Sequence, residues 1–286
     1  MELLGASSCP SQTDVNVLQT RQEPMRLNYD ILFVIQGFLQ DLPNTSRLMR
    51  TCWTLYDAGV PRLLRLLKGR VSISKYYNLV SFCVFMLRRR HNRFQYLVEL
   101  DISLDRDIHP VNQDPRITNV ITRMFKNASQ LARLRLSHPY SPIATEEISS
   151  AIASLSSLHT ITINDMCAEA LPILNKMKSP IRKAKISFDP DWAEDGGDPV
   201  PLLQSLSDSL QYLDVSWVSF EALNVEYPHV VTLEAEFCRS VDFESLYSAF
   251  PNLRFLFLHS VQDDEWEMWA DEHRGRNILA QADLGT

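Results

Sequence analysis

Side chains able to do chemistry are plentiful in this 286-residue chain, yet their spacing sets none of them to work on one another. The seven histidines stand at 91, 109, 138, 159, 229, 259 and 273. No two are three to five residues apart and there is no HExxH, so no helical turn offers two imidazoles to one zinc ion. The five cysteines, at 9, 52, 83, 167 and 238, form no CxxC pair and are odd in number. They read as reduced, buried thiols of an intracellular protein, in the cytoplasm and/or the nucleus. There is no phosphate-binding Walker loop and no GxSxG elbow. Asp189, Asp191, Glu194 and Asp195 gather before Gly196, but Ala193 stands where a calcium loop needs an oxygen donor, which leaves a solvated acidic loop. The expectation is a protein that is not an enzyme, holds no metal and no cofactor, and works by contact. For contact the strongest pair is Phe255 and Phe257, two aromatics on one side of a strand and of the type that anchors interfaces.

The elements that must position such a surface follow a recurring phrase: apolar, two residues, apolar, one residue, apolar. It runs through Leu97-Leu100-Ile102, Leu131-Leu134-Leu136, Leu158-Ile161-Ile163 and Ile181-Ala184-Ile186, then Leu210-Leu213-Val215, Val230-Leu233-Ala235 and Leu253-Leu256-Leu258. Counted from Ile73, the last residues of successive phrases are 29, 34, 27, 23, 29, 20 and 23 apart. The final two apolar residues of each phrase, two apart, suit a strand with one face in the core, so the residues beside them face outward. Those outward positions include Glu99, Asp101, Arg133, Arg135, Lys183, Lys185, Asp214 and Glu234. Helical spacing fills the intervals at 117–125, 146–155, 168–177, 202–210, 220–225 and 243–250. Strands alternating with helices at 20–34 residues point to a stacked repeat rather than a doubly wound sheet, because no glycine-rich turn follows any strand. Lys75 to Arg90 reads as a further helix. Its apolar run Leu79–Leu87 is far short of the roughly 20 residues that span a bilayer, so no membrane is expected. A net charge of −7 argues against nucleic acid as a partner.

Upstream, residues 27–68 carry apolar residues at Leu27, Ile31, Leu32, Ile35, Phe38 and Leu39, a helical stripe, with Phe33 and Val34 making a second face apolar. Pro43 breaks this helix, with Asn44 or Thr45 as the next cap, and Gly59-Val60-Pro61 interrupts a third helix. A helix apolar on two faces packs on its own module with one and on a partner with the other. Three short helices alone are below the size that supports itself.

The order Leu27, Asp30, Ile31-Leu32, Ile35, Phe38-Leu39, Ser46-Arg47-Leu48, Thr51-Cys52 and Leu55-Tyr56 resembles an F-box, over about 40 residues. Asn28 stands where the family usually has proline. The phrase of residues 97–258 resembles a divergent leucine-rich repeat, with the family's Asn or Cys three residues past the phrase present only as Cys238. The overall pattern is similar to fungal F-box proteins of unassigned substrate. The fold this implies is α/β: a three-helix F-box at 27–70, then a leucine-rich-repeat-like solenoid of about seven to eight short parallel strands alternating with helices at 71–262. A disordered polar tail, 1–26, precedes them and an acidic, Trp-containing segment, 263–286, follows as cap or tail. The function implied is that of the substrate-recognition subunit of a cullin–RING ubiquitin ligase. Leu27, Ile31, Leu32, Ile35, Phe38, Leu39 and Leu48 would hold a Skp-type adaptor and through it the cullin complex, and the repeats, with Phe255 and Phe257, would hold an unknown protein substrate. The alternative is a non-catalytic repeat scaffold whose N-terminal helices only cap the stack. Phe255 and Phe257 could equally be covered by residues 263–286.

Overall fold

The computed structural model describes residues 28–88, 93–104, 114–138, 145–166, 170–189, 201–220 and 224–259. Leu27 and the terminal segments 1–26 and 263–286 lie outside them. The chain divides into two compact units, one ending at Leu39 and the other beginning at Gln40.

Among its described residues the first unit contributes one helix, α1 (Tyr29–Phe38), whose N-cap Asn28 accepts a hydrogen bond from the Asp30 backbone N–H at 2.9 Å. The second unit opens with α2 (Leu42–Met49) and α3 (Trp53–Leu66), which pack on each other. Two local expectations are corrected here. Pro43 opens α2 instead of merely breaking the helix before it. Asp41 is the cap, accepting from the Asn44 N–H at 2.8 Å, because proline lacks the N–H that a first turn would leave unpaired in any case. α3 runs unbroken through Gly59, Val60 and Pro61. Val60 and Leu64 are buried in the main core, and that packing outweighs the hydrogen bond Pro61 removes.

Eight strands then form one parallel sheet in strictly consecutive order, β1 (Arg70–Ile73), β2 (Glu99–Ser103), β3 (Arg133–Ser137), β4 (Thr160–Met166), β5 (Lys183–Phe188), β6 (Tyr212–Phe220), β7 (Thr232–Val241) and β8 (Phe255–His259). The order never reverses, which excludes the doubly wound arrangement and its switch point. Between the strands lie α4 (Tyr76–Met86), a 3-10 turn at Arg93–Tyr96, α5 (Pro115–Asn127), α6 (Glu146–Ala153), α7 (Leu171–Asn175), a 3-10 turn at Pro201–Leu206 and α8 (Phe243–Ala249). These follow the strand order, α4 against α5, α5 against α6, α6 against α7, and α7 against the second 3-10 turn. No helix among the described residues is long and apolar enough to cross a membrane.

The register repeats the sequence phrase residue for residue. Val71, Leu100, Leu134, Ile161, Ala184, Leu213, Leu233 and Leu256 pair in one row, and Ile73, Ile102, Leu136, Ile163, Ile186, Val215, Ala235 and Leu258 in the next. All but the half-buried Val71 are buried, each large one contributing about 1.5–3 kcal/mol of apolar burial. At every junction one carbonyl receives two N–H groups from the next strand's start: Gly69 from Val98 and Glu99, Val98 from Ala132 and Arg133, and onward to Val231 from Arg254 and Phe255. Serines add a second tie, with the Ser157 hydroxyl donating to Leu131 C=O and that of Ser209 to Ile181 C=O, both at 2.9 Å.

Of the helix expected at 220–225, residues 221–223 lie outside the described residues, and the described ones are not helical. Phe220 ends β6, and residues 224–231 are turn and irregular chain. The interval there is the shortest, and β6 and β7 lengthen through buried Val218, Phe220, Cys238 and Val241 where shorter strands would stop. Asp214, read as an outward surface residue, is only 8% exposed and receives Lys185 Nζ at 2.7 Å.

Replacing Leu213 with Asp should bury an unpaired carboxylate and lower stability by about 4 kcal/mol or more. Arg135→Ala, at an exposed site, should stay within about 0.5 kcal/mol of the parent. Asp214→Ala should fall between them, at about 1–2 kcal/mol. Denaturant melts of the three variants test this ranking, and equal losses for Leu213→Asp and Arg135→Ala would contradict the register.

Candidate functional site

On α1 the sequence places Ile31, Val34, Ile35 and Phe38 within an arc of about 100° at 100° per residue. All four are exposed, Ile35 at 45% and Phe38 at 79%. Leu32 and Leu39 lie on the adjoining side and are half-buried, and Gln36 beyond them is buried. α1 therefore has a buried side and an apolar side left in water, where burying one Phe or Ile would be worth about 1.5–3 kcal/mol. Of the expected adaptor residues, Ile31, Ile35 and Phe38 share this stripe, Leu32 and Leu39 border it, and Leu27 lies outside the described residues. Leu48, on α2 in the second unit, is half-buried.

In the second unit Trp53 is exposed, stacked on Tyr56 with ring centroids 5.3 Å apart, and the Arg88 guanidinium lies 5.6 Å above it. Tyr77 and Val84, one face of α4, are exposed as well, while Leu79, Cys83 and Met86 on its other face are core. The expected core helix is thus buried on one side only.

The outward side of the sheet is a second surface. Its first row is Arg70, Glu99, Arg133, Thr160, Lys183, Tyr212, Thr232 and Phe255, and its second is Ser72, Asp101, Arg135, Thr162, Lys185, Asp214, Glu234 and Phe257. Basic residues gather on β3 and β5, acidic ones on β6 and β7, and aromatics on β8. Glu99 receives Arg70 at 2.8 Å and Arg133 at 3.3 Å, and Lys183 Nζ lies 3.9 Å above the Tyr212 ring. Burial and the neighbouring Glu234 push the Tyr212 phenol well above its usual range, so it stays neutral. Phe255 is 45% exposed and Phe257 half-buried. Among the described residues Phe255 is open to solvent at the β8 edge.

A feature that the sequence reading missed lies two residues past the phrase. His138, Asp165, Trp217 and Phe237 all have left-handed φ angles of 52° to 63°, unusual for residues with bulky side chains. They pair strand to neighbouring strand. His138 Nδ1 meets Asp165 Oδ2 at 2.8 Å, and Trp217 stacks on Phe237 with centroids 4.5 Å apart. Next to the first pair, Asn164 Nδ2 donates to the Ser137 hydroxyl at 3.0 Å. The available signal was positional: all four stand at the same offset from Leu136, Ile163, Val215 and Ala235. One place further on, where the family resemblance calls for Asn, stand buried Met166, Val218 and Cys238.

Among the described residues no three His, Cys, Asp or Glu side chains are grouped to hold a metal ion. Burial pushes the Cys83 and Cys238 thiols up to about 12, leaving almost no thiolate near neutrality. No known family model matches the chain, and no curated protein matches it significantly in sequence.

Site-resolved alkylation at pH 8 should leave Cys83 and Cys238 unmodified in the native protein and label both in denaturant. With a pKa of about 12, only about one thiol in 10⁴ is ionised at that pH. Native labelling at rates typical of free cysteine would contradict the burial of α4 and β7.

Proposed function

We propose that the chain is the substrate-recognition subunit of a Skp–cullin-type ubiquitin ligase, with an F-box around α1 to α3 and a leucine-rich-repeat-like solenoid behind it. The observation that carries this reading is the exposed stripe Ile31, Val34, Ile35 and Phe38, of which Ile31, Ile35 and Phe38 are among the residues through which the F-box resemblance would engage an adaptor. A consecutive parallel stack with a varied outward face supports the other half, a surface for a protein substrate. In this reading the chain does no bond chemistry. It holds a substrate lysine near a charged conjugating enzyme and raises its effective concentration there, in the cytoplasm and/or the nucleus.

The scaffold alternative is favoured by one observation. α2 and α3 contribute Met49, Val60 and Leu64 to the same continuous core as the sheet, and α3 packs on the Arg93–Tyr96 turn, as a cap would. A cap, however, needs no apolar stripe left in water. The ligase reading therefore leads.

Purified chain should capture a Skp-type adaptor, and an Ile35→Ala, Phe38→Ala variant should lose about a hundredfold or more in affinity, two truncations of about 1.5–3 kcal/mol each. Because both side chains are exposed, circular dichroism and melting temperature should be unchanged. A folded double variant that binds the adaptor as before would refute the reading. A Phe255→Ala, Phe257→Ala variant should keep the adaptor and lose the proteins that accumulate in cells when Ile35 and Phe38 are replaced. Retention of all of those proteins would remove Phe255 and Phe257 from the substrate surface.

A further inference from the structure

The outward face has a trough of about 530 Å³ at the starts of β1 to β4. It is lined by Val98 and Ala132 together with Lys68, Arg70, Arg133 and His159. One carboxylate, Glu99, serves both arginines. Lys68 and His159 have no side-chain partner among the described residues. On the same lip the next strand start adds Arg182 and Lys183. In a chain of net charge −7 this concentration of cations is local, and such a concave surface, with Lys68, Arg70 and Arg133 set against the one carboxylate of Glu99, draws the opposite charge.

From these observations we propose that the trough binds an extended acidic segment of a protein partner, carrying carboxylate or phosphoryl groups. It deepens the proposed function, and rests on it only for the statement that the segment belongs to a ligase substrate. Three strand spacings of about 4.8 Å separate β1 from β4, a span of about 14 Å. In an extended peptide, alternate side chains on one face repeat at about 7 Å, so acidic groups at positions i, i+2 and i+4 cover that span. The occupant is a peptide and not a nucleic acid, because among the described residues no Phe, Tyr or Trp ring lines the trough for a base to stack on and the chain as a whole is acidic. Glu99 limits affinity, since it neutralises part of the positive charge the ligand would meet.

The test is fluorescence anisotropy on the full chain with four labelled probes: a peptide of alternating Glu and Ser, its phosphoserine counterpart, a Ser-Gly peptide, and a thymidine oligonucleotide of charge equal to the first. The two acidic peptides should bind, with affinity falling as salt rises, and the Ser-Gly peptide should not. Arg133→Glu or Lys68→Glu should weaken binding about tenfold, and Arg116→Glu on α5 should leave it unchanged. Glu99→Gln should strengthen it about threefold, a gain that misfolding cannot produce. Indifference to Glu99→Gln and Arg133→Glu, or oligonucleotide binding as tight as the peptide's, would overturn the proposal. Adaptor capture without peptide binding sinks the trough alone, and peptide binding without adaptor capture sinks the ligase reading alone.

Discussion

Everything in the second unit hangs on one in-register contact. Each strand sets two apolar side chains, two residues apart, on the equivalent pair of the strand before it, while a single carbonyl at the junction takes both leading N–H groups of the next strand. A slip of one residue would turn both side chains into water, so the register cannot drift. The intervals can vary from 20 to 34 residues because the contact asks nothing of the chain between phrases. Its consequence is the outward face, since every residue that flanks a core position must point to the other side. That is how Arg133, Arg135 and Lys185 come to share one surface although they are far apart in sequence.

The phrase was legible because strand register is a period-two property written in adjacent residues, and all seven phrases from residue 97 fall on strands. What escaped was decided by tertiary packing. Pro43 and Pro61 read locally as breaks. One sits in a first turn where its missing N–H is harmless, and the other in a helix held by Val60 and Leu64 in the core. The interval before β7 has helical spacing but is the shortest, and β6 runs on into it over buried Val218 and Phe220. Asp214 looked like any outward residue, and only the neighbouring strand reveals Lys185 beside it. The left-handed positions of His138, Asp165, Trp217 and Phe237 had no glycine to announce them. Each is held by a partner one strand away, the kind of contact that a single sequence does not display.

For the site, the two surfaces differed in legibility. The stripe on α1 follows from helical periodicity alone, so Ile31, Ile35 and Phe38 could be named from sequence, whereas the half-burial of Leu32, Leu39 and Leu48 could not. The cationic trough was hidden, because its residues come from four strand starts and only the register brings Lys68, Arg70, Arg133 and His159 around one hollow. In the function proposed above, the α1 stripe would recruit and the outward face of the sheet would recognise, each on its own element.

The most direct measurement is hydrogen–deuterium exchange of the full chain with and without a Skp-type adaptor. The account predicts protection on α1, residues 29–38, with exchange in β2 to β8 unchanged. Unaltered exchange across α1 in the presence of saturating adaptor, or protection confined to the sheet, would contradict it.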